Sequence, residues 1–211
     1  FNGVVFPEIG LPDYLSNPET QFVALLFFNT WIGFGGGILF YRDPNTDTVE
    51  YRVPSVTLNG TSTAKILIED NTAGETGIGG GLYVRSYLLT ASYVEATGNT
   101  AGSHGGGAVV FCYETVKVED SNGNEVTSKP LNLDAMVCSL SNCNFADNSS
   151  GKAGGGLYVE KYRQTSVAGC SFTNNVAGTN GGGIYANNLS LSLDQTNTIS
   201  GNYAGAVKTV T

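Results

Sequence analysis

Charge is scarce in this chain. Asp, Glu, Lys and Arg make up only 13% of the 211 residues, about half the share of an ordinary soluble domain. Solvated helix faces are therefore few, and turns and sheet are expected. Ten Lys and Arg stand against 18 Asp and Glu, a net charge of −8, which excludes the basic stripe that a nucleic-acid partner demands. The one basic cluster, EKYRQ at 160–164, is too short to follow a phosphate backbone. No apolar run reaches the ~18 residues that a membrane-spanning helix needs. The longest, FVALLFF at 22–28, suits a buried strand. With one histidine, four cysteines and no C-x-x-C or Cys/His pairing, no metal or cofactor is expected. The sequence opens on Phe1, as a processed chain or a piece of a longer one does.

What the chain does have is glycine and repetition. FADNSSGKAGGGLY at 145–158 and FTNNVAGTNGGGIY at 172–185 share one skeleton. Its asparagine recurs at Asn29, Asn71, Asn99, Asn148, Asn175 and Asn202, with gaps of 42, 28, 49, 27 and 27. Glycine triplets follow at 35–37, 79–81, 105–107, 154–156 and 181–183, and the sixth unit stops at NYAGAV without one. A unit near 27 residues with no helical period predicts an all-β, right-handed parallel β-helix of about six rungs. Each turn should supply three short strands, with rungs ~4.8 Å apart. Asparagines at one bend of every rung should stack as an amide ladder. Glycines should stand where φ is positive or where two walls approach too closely for a Cβ. The residue after each triplet (Ile38, Leu82, Ala108, Leu157, Ile184) and the one three before each asparagine (Ile68, Phe145, Phe172, Ile199) should point inward.

CNFADN…GGGLYV and CSFTNN…GGGIYA resemble the repeats of chlamydial polymorphic outer-membrane proteins, with their F-x-x-N and G-G-A-[ILV] signatures. Similar repeats occur in other bacterial and algal surface proteins of pectin-lyase-like fold. The resemblance covers roughly residues 26 to 207. It carries F-x-x-N onto Phe145 with Asn148 and Phe172 with Asn175. Where the family has Ala, this chain has Gly37, Gly81, Gly107, Gly156 and Gly183. The resemblance implies an extracellular or cell-surface location.

Residues 1–25 do not repeat and hold three of the six prolines, so they read as a cap for the first rung or a strand exchanged with a neighbour. The β-helix is expected over 26–211, with insertions near 41–60 and 113–137. Both leave after the glycine strand and should emerge on one side. In the second, VKVED, SNGN and EVTSK read as a hairpin with an Asn-Gly turn.

Four groups of residues are candidates for a role. Cys143 and Cys170 fall at one station of neighbouring rungs, and Cys112 with Cys138 flanks the second insertion. Each pair is within reach of a disulfide, and a buried stack of free thiols is the alternative. Asn59, Asn148 and Asn188 head N-x-[ST] sequons, although a ladder role for Asn148 conflicts with a glycan. The outer row after the triplets, Leu39, Tyr83, Val109, Tyr158 and Tyr185, is apolar or aromatic on every rung, which suits packing or a glycan-stacking platform. His104 reads as a solvated turn residue. Asp70 and Asp147 share an edge two rungs apart, marginal for a carboxylate pair, and their station holds Gly98, Asn174 and Gly201 elsewhere, the pattern of a turn.

No reactive group is arranged on the repeat. The expectation is a non-catalytic structural or adhesive β-helix, a filament subunit or a segment of a larger surface protein. Self-association, head-to-tail or lateral, and glycans are the expected partners. A polysaccharide-binding or polysaccharide-degrading protein is the alternative.

Overall fold

A computed structural model describes residues 24–26, 37–40, 55–112, 118–119, 122, 124–126, 136–188 and 190–205. These residues coil into a parallel β-helix with four walls. The first stacks Ile38–Phe40, Leu82–Arg85, Ala108–Phe111, Leu157–Glu160 and Ile184–Asn187. The second stacks Ser55–Asn59, Leu88–Ser92, Val137–Ser141, Gln164–Ala168 and Leu191–Leu193. In the third are Ile66–Glu69, Val94–Thr97, Asn144–Ala146, Ser171–Thr173 and Thr198–Ser200. The fourth consists of Thr72–Ala73, Thr100–Ala101, Ser149–Ser150, Val176–Ala177 and Tyr203–Ala204. These neighbours within a wall pair in parallel, in the register that the repeat dictates, such as Phe145 with Phe172 and Leu157 with Ile184.

Three strands per turn were expected, and four are present. The extra division has a local cause. Asp70, Gly98, Asp147, Asn174 and Gly201 all adopt φ between 54° and 67°, and this left-handed residue turns the chain sharply between the third and fourth walls. Tyr93, Asn142 and Gly169, with φ of 50°, 52° and 62°, turn it between the second and third.

Alternation fills the interior. Gln164–Ala168 and Val137–Ser141 bury every second residue, as a sheet with one inward face must. Val56, Leu89 and Cys138 occupy successive rungs of one inward row, and Ile68, Ala96, Phe145 and Phe172 another. The first wall differs, because Leu82, Tyr83 and Val84 are all buried, and so are Ala108, Val109 and Val110. Both of its faces are covered there.

The expected insertion over 41–60 ends earlier than the sequence suggested. Ser55–Asn59 pairs in parallel with Leu88–Ser92 and is a wall strand; its SVTLN carries neither marker residue. Likewise Val137 already belongs to the second wall. Residues 41–54 and most of 113–135 lie outside the described set, as do residues 1–23. Both insertions fall between a first-wall and a second-wall strand. Within the second, Val118–Glu119 pairs antiparallel with Glu125–Val126, with Asn122 in a turn between them. Ala24–Leu26 runs antiparallel along Ile38–Phe40 at the edge of the first wall.

Candidate functional site

Asn71, Asn99, Asn148, Asn175 and Asn202 form a continuous amide ladder at the bend after the third wall. Each Nδ2 donates to the Oδ1 one rung on, at 3.0, 3.1, 2.9 and 2.9 Å. The backbone N–H of the same residue donates to that oxygen as well, at 2.9–3.1 Å. The second Nδ2 hydrogen goes back to a third-wall carbonyl, as from Asn148 to Ala96 O at 2.8 Å. All four amide capacities are thus used in the buried rungs, which lets Asn99, Asn148 and Asn175 sit fully buried at no desolvation loss. Asn29 lies outside the described residues.

The glycine triplets are shaped around this ladder. The first glycine turns the chain, with φ of 60–71° at Gly79, Gly105, Gly154 and Gly181. The third gives room to the amide: a Cβ on Gly156 would stand 2.7 Å from Gly183 O and 3.0 Å from Asn175 Nδ2.

The outer row of the first wall is an aromatic stack. Tyr158 and Tyr185 lie face to face, with centroids 5.0 Å apart. His104 covers the Tyr158 ring at 4.7 Å, and Tyr83 and Val109 form a small apolar cluster with Ile78 and Tyr158. The Tyr158 hydroxyl donates to Glu160 Oε2 at 2.6 Å. Burial first, and then that bond, raises its pKa. The side chain of Leu39 lies outside the described residues. His104 is not the solvated turn residue expected: it is partly buried and its Nδ1 accepts from Ala153 N at 3.3 Å. Burial, followed by the nearby Lys152 charge, lowers its pKa.

Asp70 and Asp147 occupy the left-handed turn station with glycines and Asn174, and the Asp70 carboxylate lies over Gly98. No pairing brings the two acids together. Among the described residues, no group of three metal-ligating side chains converges.

The expected disulfides are not formed. Cys112, Cys138, Cys143 and Cys170 are all buried, and none is joined in a disulfide. Cys143 N donates to Cys170 Sγ at 3.3 Å, and the Cys143 thiol reaches Ser141 O at 3.4 Å. The thiols pack and bond as small core residues, which is the alternative that the sequence left open. The hydrogen bond with Cys170, then burial, holds Cys143 protonated; burial does the same for Cys138.

Two of the three sequons conflict with their surroundings. Asn148 Nδ2 is inside the ladder. Asn188 Nδ2 donates to Thr165 Oγ1 at 2.6 Å while its Oδ1 accepts from Tyr162 N. Asn59 is exposed, and only its Oδ1 is engaged, by Ser92 Oγ at 2.9 Å.

The unit just described has a counterpart elsewhere. Residues 169–187 match the Chlamydia polymorphic membrane protein repeat. The matched segment runs from the turn glycine Gly169 through Phe172, Asn175 and the triplet 181–183 to the end of the first-wall strand Ile184–Asn187. The chain therefore carries a repeat of that type in a β-helix built by its recurrence. No curated protein and no solved structure matches the chain.

One site feature gave no signal in the sequence. Leu191, Leu193 and Ile199, in the last described strands of their walls, are exposed although their rows point inward. Their residue types are those of any core strand, so only the stacking order reveals that they end a wall.

Proposed function

We propose that this chain is a non-catalytic structural segment of a cell-surface or extracellular protein, a rod that offers its walls and ends for packing or adhesion. The observation that carries this reading is the match at 169–187, because the matched unit is the one the whole solenoid repeats. The candidate reactive groups support it. His104 is engaged by Tyr158 and Ala153, the two aspartates serve turns, and the Cys138 and Cys143 thiols are held protonated. Self-association belongs to the same reading, since a solenoid's end strands need a cover.

Packing is favoured over sugar stacking on the tyrosine row. A pyranose needs a free ring face, and the Tyr158 ring is already stacked on Tyr185 and in tilted contact with His104. The test is antibody labelling and protease shaving of intact cells of the source, with lysed cells as control. Labelling and cleavage without lysis are expected. Signal seen only after lysis, or release of sugars from acidic polysaccharides by the purified chain, would overturn the reading.

A further inference from the structure

We propose that Cys143 and Cys170 are an oxidation site: the pair takes hydrogen peroxide and closes into a disulfide that ties two neighbouring rungs. The first observation is register. Cys143 precedes Asn144–Ala146 and Cys170 precedes Ser171–Thr173, and Asn144 pairs with Ser171. The two cysteines therefore stand one above the other, each after a left-handed corner residue, Asn142 or Gly169. Stacked Cα atoms ~4.8 Å apart are within the span of a disulfide.

The second is the setting of the sulfurs. Cys143 N donates to Cys170 Sγ at 3.3 Å, and the Cys143 thiol hydrogen-bonds the same sulfur. One rung on, the station holds Asn197, whose Oδ1 accepts from Cys170 N at 2.8 Å. The Cys170 sulfur thus takes the acceptor's part that an amide oxygen plays on the next rung. Donors aimed at it favour its anion: the Cys143 hydrogen bond, first, lowers the Cys170 pKa against the burial that raises it. The same bond, then burial, keeps the proton on Cys143. One sulfur is prepared as the nucleophile and its neighbour as the partner that closes the bond.

The other two thiols are placed differently. Cys138 has Leu89 and Thr165 as its register partners, and burial, then Cys112 and Cys170, raise its pKa. Cys112 follows a first-wall strand and Cys138 lies in the second wall of the same rung, so these two are not stacked.

The steps balance. The Cys170 thiolate attacks one oxygen of hydrogen peroxide, the O–O bond breaks, and hydroxide leaves to take up the thiol proton as water. The Cys143 sulfur then attacks the Cys170 sulfenic acid. The S–S bond forms, the S–O bond breaks, and the departing hydroxide takes the Cys143 proton. Two thiols give up two electrons, and one peroxide becomes two waters. Peroxide is small and uncharged, which suits cysteines only 2% and 1% exposed. The inference goes beyond the structural role proposed above and does not rest on it.

The purified chain is treated with hydrogen peroxide and then catalase, unfolded in an alkylating reagent, digested and mapped by tandem mass spectrometry. The expected product is one link within a single chain, through Cys143 and Cys170, with Cys112 and Cys138 alkylated. In Cys143→Ser, Cys170 should stop at the sulfenic acid and be tagged by dimedone on unfolding. In Cys170→Ser, Cys143 should stay an alkylatable thiol. Four alkylated cysteines after peroxide that fully oxidises free cysteine, a link through Cys112 or Cys138, links only between chains, or oxidation of Cys143 in Cys170→Ser would each overturn the proposal. If a serine variant fails to fold, the map of the unsubstituted chain decides alone. None of these results alters where intact cells are labelled, so the two readings fail separately.

Discussion

Phe145 and Phe172, 27 positions apart in the chain, stack with ring centroids 5.0 Å apart and planes within 4°. Ile199 follows them in the same row. Burial differs sharply along the row, since Phe172 is covered on both sides and Ile199 is not. Phe172→Ala should cost about 3–5 kcal/mol, the range for emptying a packed aromatic site. Ile199→Ala should cost about 1 kcal/mol, because half of its surface already meets water. Urea unfolding of the two variants checks the ratio; equal costs would mean that the end rung is covered in solution.

Removal of an interior ladder amide should be severe. Asn148→Ala leaves Asn99 N and Nδ2 without their acceptor and deprives Ala96 O of its donor. Orphaned buried groups cost ~1–3 kcal/mol each, so a loss of about 3–5 kcal/mol is expected. Asn202→Ala, at a partly exposed station in the last described rung, should lose less than half of that. Chemical denaturation of both variants measures the difference.

The glycine triplets give a position-dependent test. A Cβ at Gly156 meets a backbone carbonyl at 2.7 Å, while at Gly183 the nearest atoms belong to the Asn202 side chain at 3.0 Å. Gly156→Ala should cost about 2–3 kcal/mol, as overpacking does. Gly183→Ala should cost well under that, since an end-rung side chain can yield. Comparable melting temperatures for the two variants would refute this account of the triplet.

Ser150 offers a gain. It stands in a row with Ala101 and Ala177, and its buried Oγ has no hydrogen-bond partner. Ser150→Ala removes an unsatisfied hydroxyl without changing shape and should stabilise by about 1 kcal/mol. A destabilised Ser150→Ala variant in thermal melts would show that the hydroxyl has a partner.

His104 predicts a pH dependence. Its pKa is lowered in the folded chain, so the unfolded chain takes up a proton more readily. Its contribution is therefore complete above the unfolded value of 6.5 and declines as pH falls from there toward the folded pKa. His104→Asn, which copies Asn180 at the equivalent station, should flatten the fall in Tm between about pH 7 and pH 5. Parallel curves for the two proteins would remove His104 as the cause.

Much of this architecture was legible because some side chains have a single solution at their station. Asn148 and Asn175 need an amide above and below, and Gly156 needs the space of a hydrogen atom, so their spacing shows through the sequence. The wall strand Ser55–Asn59 did not show, because Val56 and Leu58 can be replaced by any apolar residue and carry no marker. Cysteine spacing revealed the stacked rungs of Cys143 and Cys170 but could not reveal whether their sulfurs were joined. The contact of His104 with Tyr158 spans two rungs separated by an insertion, and no local pattern announces it. The exposure of Leu191, Leu193 and Ile199 is similarly silent, since exposure depends on what lies above and not on the residue itself.

The direction of the amide ladder has a mechanical corollary. Its bonds, like the backbone bonds between rungs, point along the stacking axis, and each rung touches only its neighbours. A pull between the first and last rungs therefore loads one interface after another and peels the coil open in steps. A pull across the walls meets many interfaces at once. In force spectroscopy the rod should yield as a sawtooth of small, evenly spaced events when drawn from its ends and as one large rupture when drawn from its sides.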